Sequence, residues 1–397
     1  MRRMSADRRA AAPGARSGHG PPIPNRPRCF RSFPFPLPPE FRTKVSEARE
    51  DHDTERRNAQ GSETAASYPE ELALGTLYTG ERSECLWLCG QSGRWFRDRG
   101  YRYEGSRGLI GNGAEDGMIS VRTKWRWDDD DRSCRMHKLS RAGFCNLMEL
   151  LGVGRVFLVG DSIAFMQANS LWWLLGEEGD LGSKLGYGYQ ERQIRCAATD
   201  PEEAPYVFTL AMARDDDLRS SGEDDHHEDW AGRYLAGDAR TILIANTGAH
   251  TPPEEYERNM NAFVEIVLNF DRPRDTTIYR TSVPGHARCR QFNKPLASPQ
   301  EYEDLEMDQS WNWMHMADFN AYCKERMDAL AAAGRDWSVL DVTPMTTLRP
   351  DGHKKQNIDC LYYLYPGPHP RRFAFIFRSS ASINRIGKGL AGTFDLG

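Results

Sequence analysis

Gly160, Asp161 and Ser162 follow directly on the apolar run Val156-Phe157-Leu158-Val159, and Gln167 stands shortly after them in an apolar stretch reaching Leu175. A serine hydroxyl becomes a nucleophile only when it is reachable, has a base to take its proton and has donors for the developing oxyanion. A buried strand that stops at Gly-Asp and restarts as a helix meets two of these needs. It sets Ser162 at a helix N-terminus, on the carboxyl edge of a parallel sheet where open α/β folds carry their chemistry. The N–H groups of the first turn then point at whatever the hydroxyl attacks. The plain structural reading of the same residues is a turn with Asp161 or Ser162 as helix N-cap. Three residues do not choose between the two.

Three later segments end a strand-like run in polar residues. Thr241-Ile-Leu-Ile-Ala is followed by Asn246, Gly248 and His250; Ile278-Tyr279 by Arg280 and His286; and Arg349-Pro-Asp351-Gly-His353 precedes Asp359-Cys360-Leu361-Tyr362 and the Pro-Gly-Pro-His369 run. If the strands are parallel, their ends gather on one rim. Arg280 there suits a carboxylate or a polysaccharide, and equally a structural salt bridge. Each histidine taken singly reads as a loop residue bonded to backbone or solvent.

The elements that must position these residues alternate. Strands are expected at 206–211, 241–246, 277–280 and 339–342, and helices at 254–270 and 318–330, where apolar residues recur at helical spacing. Such alternation implies a parallel sheet covered on both faces. The acidic segment 215–229, with His226 and His227, has no apolar period and reads as a surface loop. Residues 1–74 are rich in Arg, Pro and charge and read as disordered or linker. Residues 75–151 carry Cys85, Cys89 and Trp125-Arg126-Trp127 and read as an irregular layer packed on the main domain, 152–397. The run 128–131 of four aspartates reads as a solvated loop.

The chain has 397 residues, 39% hydrophobic and 27% charged, with a net charge of -5, which gives no ground for a nucleic-acid partner. No apolar run reaches the length of a membrane span, and the N-terminus lacks the apolar stretch of a signal peptide. Nine cysteines are scattered; Cys85 and Cys89 have no second pair nearby, so no metal site is assigned. The odd count leaves at least one cysteine free or paired outside the chain. The pattern fits a secretory protein with a few bridges or a cytosolic one with buried thiols.

Taken in order, the Cys-bearing segment, Trp-Arg-Trp, Val-Gly-Asp-Ser, Asn-Thr-Gly and Asp-Cys with Pro-Gly-Pro resemble the plant trichome birefringence-like and related PC-esterase proteins, of the GDSL/SGNH hydrolase superfamily. The resemblance runs from about Cys85 to His369. It implies a three-layer α/β/α fold, a place in the Golgi lumen or secretory pathway, and an acetyl group passed through serine to a glycan hydroxyl. It calls for no cofactor; the partners it implies are a polysaccharide or glycan acceptor and a small acyl donor such as acetyl-CoA or an acetylated intermediate. Position by position, Ser162 matches the nucleophile and Asp359 the acid. The Ser162 backbone N–H and the Asn246 side chain match the oxyanion stabilisers, with Gly160 and Gly248 in the same group; Asp161 and Gln167 are placed as substrate contacts, Gln167 in a supporting role.

The histidine of the family's Asp-x-x-His motif should fall at 362, where this chain has Tyr362, and the cysteine beyond it is replaced by Leu364. Tyrosine, with an ordinary pKa near ~10, is a poor base at neutral pH. His353 and His369 are the first candidates to stand in; His250 and His286 end other strands and are placed with Arg280 as substrate contacts. The competing reading is a carbohydrate-binding relative that has lost its base. A cytosolic GDSL-type lipase is a third, and it leaves the Trp- and Cys-bearing layer unexplained. A histidine nitrogen within hydrogen-bond reach of Ser162 Oγ separates the first two.

Overall fold

The computed structural model describes residues 93–97, 125–129, 140–177, 188–197, 204–305, 310–353 and 360–363, all within the compact unit Phe33–Gly397. Segment 1–74, Cys85, Cys89, Asp359 and His369 lie outside the described residues, and so do two of the four aspartates at 128–131.

Strands β1 (Gly93–Arg97) and β2 (Trp125–Asp129) form an antiparallel hairpin with Trp95 opposite Trp127. Helix α1 (Arg141–Leu151) follows, capped by Ser140, whose hydroxyl accepts from Gly143 N–H. The region expected to be irregular thus contains a regular hairpin and a regular helix. Then come β3 (Arg155–Gly160), α2 (Ser162–Leu174), β4 (Tyr189–Arg195) and β5 (Val207–Arg214). After α3 (Trp230–Leu235) the chain alternates β6 (Thr241–Asn246), α4 (Tyr256–Asn269) and β7 (Thr276–Arg280). It closes with α5 (Pro299–Glu303), α6 (Met316–Ala332), β8 (Trp337–Leu340) and α7 (Thr343–Thr347).

The six-stranded sheet has the order β4-β5-β3-β6-β7-β8, parallel except for β4, which pairs antiparallel with β5. The edge strand β4 escapes a sequence reading because Tyr-Gln-Glu-Arg-Gln-Ile-Arg carries polar residues on both faces. By contrast β3 is buried over its whole length, as a central parallel strand requires. Its residues alternate between two cores: Val156 and Leu158 pack with α1 and α2 on one face, Phe157 and Val159 with α3, α4 and α6 on the other. This is the three-layer α/β/α arrangement. Each of these side chains is fully buried, contributing about 2 kcal/mol by removal from water.

Gly160 pairs with Arg214 on one side and Asn246 on the other, so three strands end level with each other. From β3 the chain crosses to β5 on one side and β6 on the other, which makes the end of β3 the topological switch point where such sheets bind ligands. Gly160 has φ +145°, and a Cβ there would sit 1.8 Å from Asn246 O, so only glycine lets β3 run that close to β6. Segment 215–229 is not simply a surface loop. Asp215, Asp216 and Asp217 are buried, and Asp216 forms a bidentate pair with Arg214, at 2.8 and 3.1 Å.

Candidate active site

Ser162 is the first residue of α2, so its N–H belongs to the helical turn that has no intrahelical acceptor. Asp161 caps the helix through Oδ1, which accepts from Ile163 N–H at 2.9 Å; its Oδ2 accepts from Ala249 N–H at 3.1 Å. One carboxylate therefore holds both the residue after Ser162 and the residue before His250, across 88 positions of chain. In that arrangement His250 Nε2 lies 3.0 Å from Ser162 Oγ. This is hydrogen-bond distance for proton transfer between a hydroxyl and an imidazole.

Asp161 is fully buried, and burial raises its carboxyl above the ordinary range, while the nearby His250 and Arg280 pull it back and Asp216 adds to the rise. In its charged form it stabilises positive charge on the imidazole beside it. Arg280 is also buried, at 1% exposure, and burial lowers its guanidinium to about 10 against the attraction of Asp161. Its Nη1 donates to Thr281 O at 3.2 Å and its Nη2 to Asn246 Oδ1. A guanidinium enclosed in this way does not reach a substrate, and the expectation of a substrate contact at Arg280 gives way to a structural one.

Asn246 is tied in equally firmly. Its Nδ2 donates to Arg280 O at 3.0 Å and to Ser282 Oγ at 2.8 Å, which accounts for both amide hydrogens. The expected donation from this side chain to an oxyanion is therefore not open in this structure. Gly248, with φ +139°, lies between Asn246 and His250, and a Cβ on it would crowd Ser282 Oγ and Phe319. Gln167 is buried on α2 with Oε1 unpartnered among the described residues.

The other histidines are used elsewhere. His286 and His353 are wholly buried, with His286 Nδ1 2.7 Å from His353 Nε2 and His286 Nε2 2.7 Å from Thr347 O. The carbonyl of Thr347 only accepts, so His286 carries its proton on Nε2 and accepts at Nδ1 from His353. His353 Nδ1 faces Tyr362 O at 3.2 Å. These contacts hold both rings in the interior against α7, and the His353 ring also stacks on Tyr363, with centroids 4.2 Å apart. His353 is therefore not the stand-in base, nor is His286 a substrate contact. Tyr362 is half-buried against the second core.

A turn that the sequence reading passed over completes the surroundings. Trp311 and Asn312 both adopt left-handed backbone, φ 54° and 59°. Asn312 Nδ2 donates to Gly248 O at 2.8 Å and to Thr251 O at 2.7 Å, bracketing His250. The Trp311 ring meets the His250 ring edge to face, with centroids 5.1 Å apart. The available signal was asparagine in Ser310-Trp-Asn-Trp, a residue tolerant of left-handed turns; its partners are distant in sequence.

The geometry can be set beside known proteins. Residues 240–368 match a family model named PC-Esterase, described as the GDSL/SGNH-like acyl-esterase family found in Pmr5 and Cas1p. The matched segment contains Asn246, His250 and Tyr362, and Ser162 precedes it. A comparison with curated protein sequences finds no match. Among solved structures, the chain is similar to a protein of Slackia heliotrinireducens described as a candidate SGNH hydrolase. The identity is 15%, covering 57% of this chain and 97% of the other, with a TM-score of 0.29.

Proposed function

Starting from a chain whose residues 240–368 match the PC-esterase family, a match that supports an esterase or acyltransferase, we propose that it transfers or hydrolyses O-acyl groups on a glycan through an acyl-Ser162 intermediate. The observation that carries the reading is the 3.0 Å approach of His250 Nε2 to Ser162 Oγ. Ser162 Oγ attacks the ester carbonyl while its proton passes to His250. The Ser162 N–H, at the start of α2, donates to the oxyanion. Collapse expels the alcohol, which takes the proton back from His250. Water or a second glycan hydroxyl, deprotonated by His250, then attacks the acyl-serine and frees Ser162. An acetyl group is the preferred acyl unit, because the nucleophile is 5% exposed and sits in a tight corner between Asp161 and His250.

The loss of the family histidine at Tyr362 does not leave Ser162 without a base, because one arrives from the strand next to it. The direct test is cleavage of p-nitrophenyl acetate by the wild type and by Ser162→Ala. The substitution is expected to remove turnover by several orders of magnitude. Equal rates in the two proteins overturn the reading in favour of a non-catalytic relative.

We also propose an oxidising compartment of the secretory pathway. Cys145–Cys196 and Cys289–Cys360 support it, with Cys323 buried and free. Among the described residues no helix is long and apolar enough to cross a membrane. Thiol labelling of protein from its native source, before and after reduction, is expected to show these four cysteines only after reduction. Labelling of all of them without reduction overturns the assignment.

A further inference from the structure

Exposure rises step by step from the nucleophile outward: Ser162 is 5% exposed, His250 is intermediate, and Trp311 is 37% exposed. Ser162 touches His250 and His250 touches Trp311, so the three side chains run in contact from the buried hydroxyl to the surface. What sets Trp311 apart from the other exposed apolar residues is its contact with His250 and its backbone. A bulky residue in left-handed conformation is strained, and strain of this kind gathers at functional sites. The turn holds that conformation at both ends. Asn312 clamps it to Gly248 and Thr251, and Trp313 is buried so tightly against Gly285 that a Cβ there would lie 1.9 Å from its ring. Two tryptophans two residues apart thus have opposite fates: Trp313 anchors the turn and Trp311 is displayed beside the base.

We infer that Trp311 is a specificity-determining residue, whose exposed indole stacks on the apolar C–H face of a pyranose ring in the glycan portion of the ester. Aromatic faces carry negative charge density and attract the positive edge of C–H groups. A single open ring beside the base offers a sugar a stacking face. An extended acyl chain would instead seek an enclosed apolar channel. The inference rests on the acyl-transfer reading of Ser162, and it adds what selects the alcohol side of the ester.

The test separates binding from turnover. Binding of O-acetylated cellotetraose is measured by calorimetry with Ser162→Ala protein and with Ser162→Ala/Trp311→Ala. Loss of the indole is expected to raise Kd about tenfold, with Ser162→Ala/Trp311→Phe recovering to within about threefold. In the catalytic background, Trp311→Ala is expected to lower kcat/KM for the acetylated tetraose more than for p-nitrophenyl acetate, with the difference in KM. Unchanged binding in the double variant, or equal losses on the two esters, overturns the inference and leaves Trp311 as a prop for His250. A loss larger on p-nitrophenyl octanoate than on the tetraose assigns the ring to an acyl chain and also overturns it. Wild-type turnover by Ser162→Ala would instead sink the acyl-serine reading, while the binding result on Trp311 would stand by itself.

Discussion

Moving a proton from Ser162 Oγ to His250 Nε2 needs only a short hydrogen bond, but it leaves an imidazolium beside the buried Asp161 carboxylate, which offsets the charge. His250→Ala is therefore expected to lower kcat/KM for p-nitrophenyl acetate by a factor of about 10²–10⁴. A rate within a few-fold of wild type would show that another group takes the proton. His286 makes the opposite kind of contribution. Burial lowers its pKa from 6.5 to about 4, so the native ring stays neutral where an unfolded one is protonated. Between those values the unfolded state binds more protons, so stability is full above pH 6.5 and falls as pH drops towards 4. The loss from this ring alone is about 3 kcal/mol across the window. Urea titrations at several pH values check it: His286→Phe is expected to flatten the slope, and an unaltered slope would show that other groups set it.

At the scale of elements, the site is made by β3 and β6 ending level and by the turn at 310–315 closing over the second of them. Gly160→Ala is expected to destabilise the protein by about 3 kcal/mol or more, since the Cβ collides with the Asn246 carbonyl. A melting temperature within a degree or two of wild type would mean that β3 and β6 can part there. Asn312→Ala frees Gly248 O and Thr251 O and is expected to cost about 1–2 kcal/mol, with a larger fractional loss of kcat than of stability. Denaturant curves run beside steady-state kinetics distinguish the two losses. These elements were unequally legible in the sequence. Val156–Val159 and Thr241–Ala245 announce themselves by unbroken apolar runs, and Gly-Asp-Ser by its place after one of them. Strand β4 does not, because an edge strand with two polar faces has no period to read. Nor could the choice of His250 over His353 be made, since it depends on β6 lying next to β3. That adjacency is long-range pairing that no local pattern encodes.

At the scale of the whole molecule, the disulfides bind distant parts of the chain into one unit. Cys145–Cys196 ties α1 to the end of β4 across 51 residues, and Cys289–Cys360 ties the segment after β7 to the 360–363 segment across 71. By loop-closure entropy each stabilises the fold by about 4 kcal/mol, so reduction is expected to lower the melting temperature sharply. Calorimetry with and without reductant measures this, and an unchanged transition would exclude a stabilising role. Next to the second bridge, segment 360–363 serves as a brace: Tyr363 Oη donates to Thr346 O of α7 at 3.1 Å. The proposed reacting pair sits instead at the middle of the sheet, where a single carboxylate grips the turn on either side of the Ser162–His250 contact. On the proposed reading the Ser162–His250 pair is insulated from change at the periphery, and a lineage could rewrite its C-terminal motif while keeping that proton acceptor. For anyone sorting related chains into living and dead enzymes, an absent C-terminal histidine then proves nothing until the neighbouring strand has been inspected for another.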